Sequence, residues 1–155
     1  MQKIIFVEIE VNNRHKFLGY LLLADESEEV VETYIHQGDM FSIYLEEILV
    51  GVMFFTFEPN NVVEIKNMAI SPEFQGRGIG KALINEAFKM YESKGFSKMI
   101  VGTANSSISN LAFYQKAGFR MSAIKKNFFL QYPEPIIEDG IRAIDMVMFE
   151  KELGK

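Results

Sequence analysis

The alternation of apolar and polar residues predicts a chain of mixed strands and helices. Near the start, Ile5, Val7, Ile9 and Val11 alternate with charged or aromatic neighbours, which is the period of two expected of a half-buried strand. Asn12-Asn13 marks a turn after this strand, Ile4–Val11. The other predicted strands are Phe17–Ala24 (buried on both faces), Phe41–Leu45, Leu49–Phe57, Val62–Ile70, Lys98–Thr103, Phe119–Lys125 and Arg142–Lys151.

Helical spacing of apolar residues predicts three helices between these strands. The first is capped by Asp25 or Ser27, is ended by Gly38, and has one apolar face made of Val30, Val31, Tyr34 and Ile35. The second stops at Gly95, and its inner stripe is Ile84, Ala87, Phe88 and Tyr91. The third follows the cap candidates Asn105-Ser106-Ser107 and is closed by Gly118.

The connections between the elements predict how the strands pair. The acidic turn Glu46-Glu47 joins two strands directly, which predicts an antiparallel hairpin. The strand Val62–Ile70 is followed instead by a glycine-rich loop, a helix and the strand Lys98–Thr103. A helical crossover of this kind predicts that these two strands are parallel.

Composition restricts the class of protein. The chain has 155 residues, 48% of them hydrophobic and 24% charged, which predicts one globular domain over residues 1–155. Its net charge of −5 argues against a nucleic-acid partner, because phosphate neutralisation needs a basic surface. The chain has no cysteine, which excludes disulfides, thiolate metal sites and a cysteine nucleophile. A reducing cytoplasm is the predicted location.

Neither a membrane segment nor a metal site is predicted. The longest apolar stretch, Phe17–Ala24, is far shorter than the roughly 18 residues of a membrane helix. The apolar run near the start of the chain is interrupted by Glu8 and Glu10, and it lacks the pattern of a signal peptide. His15 and His36 are isolated in the sequence without ligand spacing, and surface positions are predicted for both.

The glycine-rich loop is the main candidate for chemistry. Gly76, Gly78 and Gly80 remove side chains where a strand leads into a helix, so that backbone N–H groups can approach an anion such as phosphate. A Walker loop would need glycine at Gln75 and Ser or Thr at Ala82, and a dinucleotide fingerprint would need glycine at residue 81. Both patterns fail. A plain turn before a helix is the structural alternative.

Two motifs together resemble the GNAT family of N-acetyltransferases. The first is Gln75-x-x-Gly78-x-Gly80, which has the spacing of the pyrophosphate-binding motif of that family. The second lies thirty residues on, where Asn110 and Tyr114 stand on a short helix followed by Gly118-Phe119. The resemblance implies an α/β (α+β) fold: a mixed, mostly antiparallel sheet of about seven strands, flanked by about four helices, with splayed central parallel strands. The N-terminal strand within residues 1–16 is not a standard part of that family.

The resemblance implies acetyl-CoA as the cosubstrate, with no metal. The pyrophosphate would be bound by the loop residues Gln75, Gly76, Arg77, Gly78, Ile79, Gly80 and Lys81. Pantetheine would pair like an extra strand with the backbone of Met68, Ala69 and Ile70, provided that the neighbouring strand diverges. The other wall would be formed by Asn105, Asn110 and Phe113, with Lys116 near the phosphates.

Two residues carry the implied catalysis, which is direct attack of a primary amine on the thioester in a ternary complex. Glu64 matches the position of a general base in some family members, the alternative being a solvated strand residue. Tyr114 matches the tyrosine that assists the departing thiolate, the alternative being a core residue. A backbone N–H near Met68 would stabilise the oxyanion.

Several alternatives stay open from sequence alone. An acyl-CoA-binding sensor or assembly module of the same fold, without turnover, is the rival function, and a nucleotide-phosphate binder is a third. The enlarged loop 127–140, with its aromatics, prolines and carboxylates, either packs on a second subunit in a homodimer or forms a wall of the acceptor pocket. A small-molecule or peptide amine is the predicted partner, and neither nucleic acid nor a membrane is expected.

Overall fold

The computed structural model describes residues 3–154. Its main strands are β1 (Ile4–Glu8), β2 (Asp39–Leu45), β3 (Ile48–Glu58), β4 (Val62–Ile70), β5 (Lys98–Ala104), β6 (Arg120–Lys125) and β9 (Met146–Glu152), and two short strands are β7 (Ile137–Glu138) and β8 (Ile141–Arg142). The α-helices are α1 (Leu18–Ala24), α2 (Glu28–Glu32), α3 (Ile79–Ser93) and α4 (Ile108–Lys116). Short 3₁₀ helices cover Val11–Phe17, Pro72–Phe74 and Phe128–Gln131.

The main strands form a mixed seven-stranded sheet in the order β1-β2-β3-β4-β5-β9-β6, with β7 and β8 as a separate ribbon. The sheet is mostly antiparallel and has one parallel pair, and four α-helices accompany it. The predicted fold class and the predicted hairpin are confirmed. The turns of the hairpins are tight, because Glu46 and Glu47, and likewise Asn60 and Asn61, adopt the left-handed φ of type I′ turns.

The chain forms two compact units. The first comprises the residues up to Phe57 together with Ile65–Leu83. Its core packs α1 and α2 on the apolar face of the strands, through the fully buried side chains of Leu21, Val31, Ile35, Met40, Val52 and Phe54. Below α2, Arg14 is also buried, and its guanidinium donates to the carbonyls of Ile35, Gln37 and Gly38.

The second unit comprises Glu58–Glu64 and the residues from Ile84 onward. Strand β9 pairs antiparallel with both β5 and β6. Phe88 and Phe119 lie with their ring centroids 5.4 Å apart, and Tyr114 and Phe149 with theirs 5.8 Å apart. The predicted inner stripe of α3 is confirmed in this unit, since Ile84, Ala87 and Tyr91 are fully buried and Phe88 is half-buried.

The prediction of a strand over Phe17–Ala24 is wrong. This segment is the end of a 3₁₀ helix followed by α1, with Leu21 fully buried while Leu22 and Leu23 face solvent. Residues 18–24 are rich in leucine and contain no β-branched residue, which favours a helix. The first strand is also shorter than predicted, because it ends at Glu8 and the chain turns into the 3₁₀ helix at Val11.

The predicted strand Arg142–Lys151 is interrupted. Only its first residue, Arg142, belongs to the small β7–β8 ribbon, whose turn, Asp139-Gly140, has positive φ at both positions, and β9 begins only at Met146. Loop 127–140 therefore contains a 3₁₀ helix and most of this ribbon. Among residues 3–154, no helix is both long and apolar enough to span a membrane.

Candidate active site

The glycine-rich loop has the backbone geometry of an anion-binding turn. Gly76 and Gly78 both have φ of +77°, a left-handed conformation that only glycine adopts without strain. The first backbone bond of α3 runs from Ala82 N–H to the Gly78 carbonyl (3.3 Å). The N–H groups of the preceding turn therefore have no acceptor within the helix and carry the positive end of its dipole. Such a terminus suits phosphate.

Two cations and one amide accompany these N–H groups. Arg77 is exposed, with its guanidinium carbon 5.4 Å from the centroid of the Phe74 ring, and Lys81 is exposed in the first turn of α3. The Gln75 side chain points back, because its Nε2 donates to the carbonyl of Ile70 (2.9 Å). Gln75 therefore ties the loop to the end of β4, which is a positioning role.

The end of β4 is bound to β3 along one edge. Ser71 N–H donates to the Val50 carbonyl (2.8 Å), and Gly51 lies so close to β4 that a Cβ there would be 2.2 Å from the Ala69 carbonyl oxygen. Ala69 is buried, whereas Met68 and Ile70 are half-buried. Glycine at position 51 therefore permits the close approach that holds this part of β4 in place. The predicted pairing of Met68, Ala69 and Ile70 with pantetheine stays a prediction.

Glu64, on the first half of β4, is buried, with 7% of its surface exposed. The interpretation of Glu64 as a solvated strand residue is therefore wrong. The predicted role of Glu64 as a general base stays a prediction.

Tyr114, on α4, is the buried candidate acid. It is 8% exposed and lies among the rings of Phe113, Phe119 and Phe149, at centroid distances of 5.2, 5.8 and 5.8 Å. Burial among these aromatic rings raises the pKa of the Tyr114 phenol to about 12. The hydroxyl therefore keeps its proton at neutral pH and is able to donate a hydrogen bond.

Asn105 has a structural role. Its Oδ1 accepts from the N–H groups of Ile144 (2.8 Å) and Asp145 (3.0 Å), and its Nδ2 donates to the Arg142 carbonyl (3.2 Å). These bonds draw residues 142–145 out of the β9 ladder, which explains why the predicted strand is interrupted. The predicted contact of Asn105 with the cofactor stays a prediction.

The other predicted residues of α4 are more accessible. Asn110 is exposed and donates through Nδ2 to Thr103 Oγ1 on β5 (3.3 Å). Phe113 is half-buried beside Tyr114, and Lys116 is exposed in the last turn of the helix. Among the predicted site residues, the structure joins Gln75 to Ile70 in the first unit and Phe113 to Tyr114 in the second.

Two serines that were predicted to cap α4 instead bind the carboxylate of Glu138. Ser107 stands at the N-cap position of α4 without a side-chain cap bond. Ser106 Oγ donates to Glu138 Oε1 (2.9 Å) and Ser107 Oγ to Glu138 Oε2 (3.4 Å). Glu138 lies in loop 127–140, so the serines connect the end of β5 with that loop. Sequence reasoning missed this contact, since no local pattern joins residues 31 or 32 positions apart.

Sequence reasoning also missed a polar network in the first unit. Asn67 Nδ2 donates to the Leu21 carbonyl (2.9 Å) and to Tyr34 Oη (3.0 Å), and Tyr34 Oη donates to Asp25 Oδ2 (3.1 Å). Asn67 Oδ1 is buried and has no hydrogen-bond partner among residues 3–154. The network fixes the end of α1 against β4. The signal available in the sequence was a polar residue in the alternating series whose other members, Val63, Ile65 and Ala69, are apolar.

Comparison with known proteins identifies relatives along nearly the whole chain. The sequence model of the acetyltransferase (GNAT) family matches residues 5–119 of this chain. An uncharacterised N-acetyltransferase of Bacillus subtilis (strain 168) is 36% identical over 154 residues, which cover 99% of each chain.

Two solved structures extend the likeness to three dimensions. An IAA acetyltransferase from Bacillus cereus has a TM-score of 0.88 at 38% identity, covering 97% of this chain and all of the other. A GNAT family acetyltransferase from Elizabethkingia anophelis, solved with acetyl-CoA bound, has a TM-score of 0.89 at 35% identity, covering 97% of this chain and 98% of the other.

Proposed function

The chain belongs to the acetyltransferase (GNAT) family, and from this premise we propose that it moves an acetyl group from acetyl-CoA to a primary amine by direct attack in a ternary complex. The single observation that carries the proposal is the glycine loop, with Gly76 and Gly78 in left-handed conformation directly before α3. The relative from Elizabethkingia anophelis that is solved with acetyl-CoA supports the choice of cosubstrate.

The proposed cofactor contacts divide by chemistry. The N–H groups of residues 76–81, with the charges of Arg77 and Lys81, bind the pyrophosphate. Backbone groups of residues 68–70 pair with pantetheine, and a backbone N–H near Met68 stabilises the oxyanion. Asn110, Phe113 and Lys116 contribute further contacts, and Asn105 holds the backbone that follows β5.

The proposed reaction begins with the amine. An alkylammonium of pKa about 10 has no free electron pair at neutral pH, so a base must remove its proton before attack. We assign this role to Glu64, whose burial supports it. The amine nitrogen then bonds to the thioester carbonyl carbon, the carbon–sulfur bond breaks, and coenzyme A leaves as a thiolate that takes up a proton.

Tyr114 is proposed to donate a hydrogen bond to the departing sulfur. Its pKa is raised to about 12, whereas an ordinary thiol has a pKa of about 8.5, so full proton transfer from the phenol would cost about 5 kcal/mol. The phenol therefore stays protonated and stabilises the thiolate as a neutral donor. The proton that finally reaches sulfur comes from the amine.

The test of the proposed function is thiol release. We expect the native protein with acetyl-CoA to release free thiol only when a primary amine is added, from a panel of a polyamine, an aminoglycoside, an amino acid and a peptide amine. An acyl-CoA sensor of the same fold would bind acetyl-CoA in calorimetry and release thiol with none of them. Stabilisation by ATP equal to that by coenzyme A would instead favour a nucleotide-phosphate binder.

Replacement of Tyr114 by phenylalanine is expected to lower kcat about 10- to 100-fold while the Kd for acetyl-CoA changes less than about twofold, because one hydrogen bond to a charged sulfur is lost. Steady-state kinetics and calorimetry separate these two effects. The control is Tyr91→Phe, which removes a hydroxyl from a fully buried tyrosine of α3 that has no proposed role. Equal kcat in the Tyr114 variant and the native protein would remove this residue from the mechanism.

The remaining parts of the proposal concern partners and location. The acceptor is a small-molecule or peptide amine, and the carboxylates of loop 127–140 attract it. A cytoplasmic location and a homodimeric state remain predictions.

A further inference from the structure

The two histidines of the chain lie side by side. His15 follows Arg14 in the 3₁₀ helix Val11–Phe17, and His36 lies in the turn after α2, yet their ring centroids are 5.5 Å apart. Glu32, the last residue of α2, completes the group with its Oε2 2.9 Å from His15 Nε2. One ligand atom from each of the three residues lies within 4.8 Å of the others, and all three residues are exposed.

This donor set matches the coordination chemistry of zinc. Two imidazole nitrogens and one carboxylate oxygen are a common three-ligand set for Zn²⁺, with a fourth position for water. Ligand atoms about 2.0–2.2 Å from one metal lie roughly 3.3–3.5 Å from one another. Because all three side chains are at the surface, small rotations about their χ angles are enough to reach this spacing from the separations seen.

The backbone that carries the three ligands is held in place by buried contacts. Arg14, the residue before His15, donates to the carbonyls of Ile35 and Gln37, which flank His36. Glu32 and His36 are four residues apart, and in the turn that joins them the Ile35 N–H still bonds to the Val31 carbonyl (3.0 Å), as it would in a helix. The two segments are thus fixed against each other without a metal, which lowers the ordering cost of binding one.

We propose that His15, Glu32 and His36 form a binding site for a divalent transition-metal ion, with Zn²⁺ the best match to the donors. The site shares no residue with the proposed acetyl-transfer site and does not depend on that function. A bound ion links the 3₁₀ helix to the end of α2 and stabilises the first unit by mass action.

The test uses untagged, full-length protein stripped with EDTA and dialysed. Calorimetric titration with Zn²⁺ is expected to show one saturable site, and Zn²⁺ at about 100 times its Kd is expected to raise Tm by roughly 5 °C or more. Mg²⁺, which prefers oxygen ligands, is expected to leave Tm unchanged. Tetrahedral Co²⁺ bands in the visible spectrum provide a readout independent of stability.

The variants are His36→Gln and Glu32→Gln, with Glu29→Gln as the matched control on the same exposed helix. We expect the first two to weaken Zn²⁺ binding at least tenfold and to lose the Tm shift, and the control to keep both. All three should have nearly the native Tm in EDTA, because the groups removed are exposed. The absence of a saturable site in the native protein, or equal loss in the Glu29 variant, overturns the proposal.

Discussion

Replacement of Gly78 by glutamate is expected to weaken the binding of coenzyme A and acetyl-CoA at least about 100-fold, which is about 2.7 kcal/mol. The introduced carboxylate would stand next to the N–H groups that we propose bind the pyrophosphate. A like charge about 4 Å away costs about 4 kcal/mol at an effective dielectric of about 20, before salt screening. The measurement is calorimetric titration with each ligand.

Gly95→Glu is the matched control for this variant. Gly95 has φ of +92° and Gly78 has φ of +77°, and in both cases an added Cβ meets no atom within 4 Å. The two substitutions therefore add the same charge and the same kind of backbone strain, about 1–2 kcal/mol each. We expect Gly95→Glu to change the Kd less than about twofold and both variants to lose similar Tm. Unchanged affinity in Gly78→Glu, or equal loss in the control, would falsify the pyrophosphate assignment.

Replacement of Arg14 by alanine is expected to lower the free energy of unfolding by about 3 kcal/mol or more, the largest stability effect that we predict. Arg14 is 3% exposed, and its guanidinium donates to the carbonyls of Ile9, Ile35, Gln37 and Gly38. Its removal leaves buried carbonyls without donors, and each such group costs about 1–3 kcal/mol unless water reaches it. Urea unfolding followed by circular dichroism measures the change.

Two further variants show whether the planar group itself is responsible. Arg14→Lys is expected to recover only part of the loss, because an ammonium cannot match the fork of donors that reaches several carbonyls. Burial lowers the pKa of Arg14, whereas the nearby carboxylates of Asp39 and Glu8 raise it. Arg120→Ala, at an exposed position of β6, is the control and should cost less than about 0.5 kcal/mol. A loss no larger than in this control would show that Arg14 is dispensable.

Sequence reasoning succeeded where a local signal decides the structure. The strand Val62–Ile70 was predicted with its observed bounds, because its apolar run ends at Ser71-Pro72. The turn before α3 was placed correctly because glycine marks positions of positive φ, as at Gly76 and Gly78. In each case, the residues that carry the signal lie within a few positions of the structure that they determine.

It failed where the apolar pattern of a short segment does not distinguish a strand from a helix. Residues 17–24 are apolar throughout, and a run of this length is compatible with a buried strand or with a helix. In the structure the segment is a helix, and Asn67 donates to its Leu21 carbonyl from 46 residues away. The burial of Glu64 is a similar case, since a charged residue at a strand position was equally compatible with solvent.

The sequence by itself determined the family, the β4–loop–α3–β5 unit and the residue types available for the proposed chemistry. Only the tertiary structure decided that Gln75 holds the end of β4, that Asn105 interrupts the last strand, and that His15 meets His36 and Glu32. The physical reason is range: φ preferences and apolar periodicity act between near neighbours. Side-chain hydrogen bonds and metal-ligand groups instead join segments whose proximity is set by the packing of the whole unit.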